Sequence, residues 1–278
     1  MIGKIMQLPN TFDEEETFNL VDQFENDGYV ILDVDDYEML ITFRHHVVDL
    51  VCAALGVQRT EDDGDFLNNF FTHCPVDKLN EVRLLTYNTL NSASWSAPTY
   101  FQLAKRSLHT LLGNELAMQR KINLSVQFPN DDSSLLPIHA DVFGGETPFQ
   151  IVQWLPLVDC FKSKSMFIAP KKLCDTIYPM LVEYQQKGMD QLFEDIKDEL
   201  IWLDVPFGKV LIFSPNFLHG NIINTESSVR WSMNCRFKGL FTPYTGAEKK
   251  LGSFYKPITI KPVTKIGLNY TEPSGFSE

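Results

Sequence analysis

A histidine and an aspartate separated by one residue stand at His139 and Asp141. A lone His219 follows about eighty residues later, and Arg230 lies eleven residues beyond it. Residues two apart on an extended segment point the same way, so His139 and Asp141 can reach one ion. Two imidazoles and a carboxylate can take one face of an octahedral Fe(II) and leave its other positions open. An arginine beyond the last histidine can grip a carboxylate-bearing cosubstrate with both arms of its guanidinium. Taken together, these residues point to iron-dependent oxygen chemistry.

Each part alone has a plainer reading. A histidine–aspartate pair this short is usually an exposed loop, and a single His219 is as readily a core histidine donating one hydrogen bond. The surroundings favour a site. Pro137 precedes the first pair and Gly144-Gly145 follows it, as at a strand end opening into a loop. His219 sits in Ser214-Pro215-Asn216-Phe217-Leu218-His219-Gly220, near the start of a strand. Arg230 opens a strand in which Arg230, Ser232, Asn234 and Arg236 alternate with Trp231, Met233, Cys235 and Phe237. If that apolar face packs on helices, the polar face must line water or a cavity; an ordinary solvated sheet face is the competing explanation.

The elements that must position these groups are legible in outline. A helix is expected over residues 16–26, capped from Asn10-Thr11-Phe12-Asp13, with Asp27-Gly28 turning into a strand over 29–34. Helical spacing recurs over 36–55, stopped by Gly56, and again over 75–91 and 98–112, with Gly113 as a cap. The acidic stretch 60–69 reads as a loop. Strand texture starts near Met118: 121–128 alternates, with Asn123, Ser125 and Gln127 on one face. Strands are expected at 148–157, 165–168, 200–204, 209–214, 217–223 and 229–238. A helical insertion over 171–199 should break at Pro179, and the tail from Thr242 reads as irregular.

This describes a mostly β chain with flanking helices, a sandwich or barrel covered on one face. We expect one domain over 1–278, with a helical part at 1–117, a β core at 118–240 and a tail at 241–278. The formal charge of −12 argues against nucleic acid or an anionic membrane as partner, although a local basic pocket for an anionic substrate remains compatible with it. Five cysteines with no CxxC pair argue against a disulfide framework and for a reducing cytoplasm. No secretory leader and no bilayer-length apolar run is evident.

The order of the pair, the His-Gly and the arginine, with further motifs, resembles the phytanoyl-CoA dioxygenase-like branch of the Fe(II)/2-oxoglutarate oxygenases. The opening 18–34 looks like that family's N-terminal element, and Gln153-Trp154-Leu155-Pro156-Leu157-Val158-Asp159 like the strand that follows its metal loop. Lys164-Ser165-Met166-Phe167 and the last strand look like a bacterial subgroup associated with surface-carbohydrate biosynthesis. The chain departs from the family at Lys162-Ser163-Lys164-Ser165 and Ala169-Pro170-Lys171-Lys172, segments that shape the family's substrate mouth. The resemblance implies a double-stranded β-helix of the jelly-roll, cupin-like kind. It further implies Fe(II) held by His139, Asp141 and His219, and 2-oxoglutarate and O2 as cosubstrates. Arg230 would take the distal carboxylate, with Ser232, Asn221, Trp154 and Gln127 as pocket neighbours. The expected reaction is hydroxylation of a small sugar-linked or acyl-type substrate, with release of succinate and CO2. Because related halogenases replace the aspartate, Asp141 argues against halogenation.

Two other readings use the same residues: a cupin-like isomerase or hydrolase on Zn or Mn, and a non-catalytic binding protein on the same fold. His45-His46 is adjacent on a helix and makes a poor metal pair. Arg83, Tyr87 and Asn88 share a helix that either faces the mouth of the site or serves packing, and packing is the simpler role. Substrate identity and oligomeric state are open at this stage.

Overall fold

Helix α1 (Glu15–Asp27) hands over at Gly28, φ 76°, to strand β1 (Tyr29–Asp33). This computed structural model describes residues 15–59, 62–243 and 246–275; the cap expected at 10–13 lies outside them. Helix α2 (Tyr37–Leu55) starts where the Asp36 carboxylate accepts from the Met39 backbone N–H at 2.9 Å, and stops at left-handed Gly56. Leu40, Phe43, Val47 and Val51 recur at helical spacing and enter the main core.

The acidic stretch is not a loop throughout. Residues Asp63–Asn68 form helix α3, capped by the Asp62 carboxylate on the Gly64 N–H at 2.7 Å. Phe66 and Leu67 are buried, and the Trp231 indole N–H donates to the Leu67 carbonyl at 3.0 Å. Two core residues thus anchor a segment whose composition reads as solvated. Helix α4 (Val76–Ser92) lies as expected, but the helix expected over 98–112 is two, α5 (Ser96–Gln102) and α6 (Lys105–Leu112). The break is made from afar: the Asp35 carboxylate accepts from the Arg106 backbone N–H at 2.8 Å, and the Asp35 N–H donates to the Leu103 carbonyl at 2.9 Å.

The β elements follow as β2 (Leu116–Gln119), β3 (Asn123–Gln127), β4 (Gln150–Pro156) and β5 (Phe167–Ile168). The insertion comprises α7 (Lys171–Ile177), α8 (Leu181–Lys187) and α9 (Met189–Ile196), with a 3-10 turn at Tyr178–Met180 around Pro179. Then come β6 (Ile201–Trp202), β7 (Lys209–Phe213), β8 (His219–Gly220) and β9 (Arg230–Gly239). The larger antiparallel sheet runs β1-β7-β4-β9-β2, with β3 also on β9; the smaller runs β6-β5-β8. This is the jelly-roll arrangement expected, with helices alongside. Core residues Trp231, Met233, Cys235 and Phe237 pack among the helices, while the insertion buries Leu173, Leu192 and Ile196 with Phe167 of the smaller sheet.

The tail is more ordered than its Gly- and Pro-rich texture suggests. Strand β10 (Tyr255–Thr259) pairs with β2 at the edge of the larger sheet, and helix α10 (Pro262–Leu268) follows. Pro257 is tolerated because an edge strand has N–H positions that need no partner. Fully buried Tyr255 supplies the anchor.

Gly28 joins the N-terminal turn to the site. It combines a positive φ with the Phe217 ring packed where a Cβ would stand. Gly28→Ala should therefore cost about 1–3 kcal/mol, several degrees in Tm. Thermal unfolding with no change would show that the turn and ring relax freely.

Candidate metal centre

His139 lies on the extended segment after Pro137, and Asp141 opens a short 3-10 turn, Asp141–Gly144. The two histidines are joined by their backbones. The His139 N–H donates to the His219 carbonyl at 2.9 Å, and the His219 N–H returns the bond at 2.8 Å. This single bridge sets imidazoles eighty residues apart side by side, with ring centroids 4.4 Å apart. One ligand atom from each of His139, Asp141 and His219 lies within 4.8 Å of the others.

Both imidazoles are held for coordination. His139 Nδ1 lies 2.8 Å from the Pro137 carbonyl, and His219 Nδ1 lies 2.9 Å from that of Phe217. A carbonyl only accepts, so the proton sits on Nδ1 and the Nε2 lone pair is left for a metal. Burial, with the His139 ring beside it, pulls the His219 pKa down to about 4, so the ring is neutral near pH 7. Burial would push the Asp141 carboxyl up. The Arg236 guanidinium that pairs with it outweighs this and holds the group well below the ordinary carboxylate range. Two imidazoles and an ionised carboxylate form a donor set that a divalent metal fits.

Asp141 is itself held bidentately. Arg236 Nη2 donates to its Oδ1 at 2.7 Å, and Nε to its Oδ2 at 3.1 Å. Behind Arg236, at 3.9 Å, stands Glu146, which accepts from Lys249 Nζ at 2.7 Å, from the Tyr255 hydroxyl at 2.7 Å and from Gln150 Nε2 at 3.1 Å. The C-terminal segment is thereby wired to a metal-competent carboxylate. Glu146→Gln should keep the fold but weaken Mn(II) binding roughly tenfold, the effect typical of an outer-sphere partner. Titration calorimetry checks this, and unchanged affinity would leave the network a purely structural one.

A cavity of about 380 Å³ opens onto the triad. The whole polar stripe of β9 lines it, from Arg230 through Ser232 and Asn234 to Arg236, as do Trp154 and Asn221. Gln127 does not: it stands opposite Arg230 in the β3–β9 register, fully buried, and donates to the Ile222 carbonyl at 2.8 Å. The Asn221 side chain is already committed, accepting from the Leu136 N–H at 2.7 Å and donating to the Ser134 carbonyl at 3.3 Å. It pins the cavity's rim.

Arg230 is 3% exposed. Nη1 donates to the Ser165 carbonyl at 3.3 Å and Nη2 to the Ser125 hydroxyl at 3.0 Å, while Nε is buried with no partner. No carboxylate pairs with it among the described residues, and burial pulls its pKa down to about 10. Sequence reasoning placed Arg236 on the stripe but did not pair it with Asp141, and it missed Glu146, Lys249 and Tyr255. No spacing signal joins residues a hundred positions apart.

No family model and no curated protein sequence matches the chain. Solved structures do. ThoJ, a non-heme monooxygenase in a nickel complex, superposes with TM-score 0.56 at 14% identity, over 88% of this chain and 85% of its own. HygX from Streptomyces hygroscopicus, with nickel and 2-oxoglutarate bound, gives 0.53 at 14%, over 80% and 87%. AviO1 from Streptomyces viridochromogenes Tue57 gives 0.52 at 11%, over 84% and 100%. At these identities the likeness shows a shared fold.

Proposed function

We propose that the chain is an Fe(II)- and 2-oxoglutarate-dependent oxygenase, phytanoyl-CoA dioxygenase-like, hydroxylating a small sugar-linked or acyl-type substrate, with 1–278 as one catalytic domain. The observation that carries this reading is Arg230: a buried guanidinium without a counter-ion among the described residues, facing the same cavity as two imidazoles and a carboxylate. A buried charge is costly unless paired, so its partner is expected to arrive with a ligand. The distal carboxylate of 2-oxoglutarate has the charge and planar geometry for it. ThoJ and HygX carry the same fold with nickel, and HygX also with 2-oxoglutarate, which supports the assignment.

His139, Asp141 and His219 would hold Fe(II), which with 2-oxoglutarate and O2 supplies a two-electron oxidation of a C–H bond and releases succinate and CO2. The chain's own residues orient and exclude. Arg236 fixes the plane of Asp141. The Ser125 and Ser232 hydroxyls flank the Arg230 anchor. Val152, Trp154 and Phe213 line the cavity and keep its floor dry. Five free, buried cysteines fit the reducing compartment expected from the sequence, and no helix among the described residues is long and apolar enough to cross a membrane.

Anaerobic addition of Fe(II) and 2-oxoglutarate should produce the weak visible absorption of the chelate, and admission of O2 should yield succinate. A protein that binds metal but shows neither would favour the isomerase or hydrolase reading, which has no use for Arg230.

A further inference from the structure

We infer that the substrate carries an anionic group, a phosphate or a carboxylate, and that Arg83 at the cavity mouth binds it. This rests on the proposed oxygenase reading for the charge of the loaded site.

The chain as a whole carries −12, yet among the described residues its cavity is lined by three arginines and a single carboxylate. Asp141 is engaged by Arg236, and Arg230 awaits the distal carboxylate of the cosubstrate. Fe(II) is a dication and 2-oxoglutarate a dianion, so loading both leaves the surplus of positive charge unchanged. A third ligand of negative charge would reduce it. Arg83, on α4, is the guanidinium left for that ligand. Its hydrogen-bond partner among the described residues is the neutral Asn80 side chain, at 2.6 Å. Glu81, the nearest acid along the helix, is paired instead with Lys78 at 3.2 Å. Among the neutral groups lining the cavity with Arg83, the Ser133, Ser134 and Asn123 donors are engaged by Asp131, the Val126 carbonyl and the Asn234 side-chain oxygen, which leaves the Asn234 amide N–H to join Arg83 on an oxyanion. Apolar walls at Leu124, Val152 and Phe213 lower the local dielectric and strengthen an ion pair made at the mouth.

The test titrates inorganic phosphate and acetate, with glycerol as a neutral comparator, into wild type, Arg83→Gln and Arg83→Lys. Each protein is measured metal-free, and again with Mn(II) and 2-oxoglutarate in the absence of O2. Phosphate or acetate should bind wild type in both states and Arg83→Gln roughly tenfold or more weakly. Arg83→Lys should fall between, having the charge without the fork, and 2-oxoglutarate affinity should not change. Tighter Arg83-dependent binding of phosphate assigns a phosphate monoester, and of acetate a carboxylate. Equal anion affinity in wild type and Arg83→Gln, no anion binding to wild type, or glycerol binding as well as either anion would overturn the inference. Failure of wild type to bind 2-oxoglutarate would instead overturn the oxygenase reading, and the metal-free titrations would still report on Arg83.

Discussion

His219→Ala should lower 2-oxoglutarate consumption by more than about 100-fold, beyond the loss expected for an outer-sphere partner. The imidazole is one of three donor groups within 4.8 Å of each other, so its loss leaves a two-point site. The fold should survive, because the paired bonds between residues 139 and 219 use backbone atoms only. The removed ring also leaves a contact with Phe213, at 4.9 Å between centroids, so a modest fall in Tm should accompany the loss. Succinate formation, Mn(II) affinity and Tm measured together separate the two effects. A variant that keeps a tenth of wild-type turnover would remove His219 from the metal site.

Arg230→Met should raise the KM for 2-oxoglutarate about 30-fold or more, since truncating one side of a buried charge pair costs about 2 kcal/mol or more. The same change should not destabilise the ligand-free protein. There, among the described residues, the guanidinium has two hydrogen bonds, one unpartnered Nε and no opposing charge, and a methionine of similar length relieves that burden. Arg230→Lys keeps the charge but loses the fork, and should bind with intermediate strength. This opposition of affinity and stability is the signature of a ligand-directed charge. If Tm drops sharply while KM holds, Arg230 is a structural residue.

What the sequence disclosed, and what it hid, follows from the range of each interaction. The polar stripe of β9 was readable because a period of two survives without knowledge of neighbours. The histidine pair was readable as residue types in order, but not the backbone bridge that brings them together. Gln127 had the right alternation, and the register sets it on the same face as Arg230; its burial and its bond to the Ile222 carbonyl are what keep it out of the cavity lining. The helix at 98–112 looked continuous because Asp35, which caps its second half, lies about seventy residues upstream. Acidic composition concealed α3, whose hold on the core is two side chains. The partner of Asp141 was hidden for the same reason: nothing local distinguishes Arg236 from any other strand arginine.

The seating of Tyr255 on Glu146 gives the C-terminal segment a hold over the centre from a distance. A proteolytic nick that releases this strand would strip Glu146 of its hydroxyl and ammonium donors and leave a buried anion facing Arg236. The guanidinium would then be drawn between two carboxylates, and the one belonging to the triad would lose its fixed plane. Cleavage at the far margin of the sheet would thus disturb the centre with every residue of the triad still in the chain.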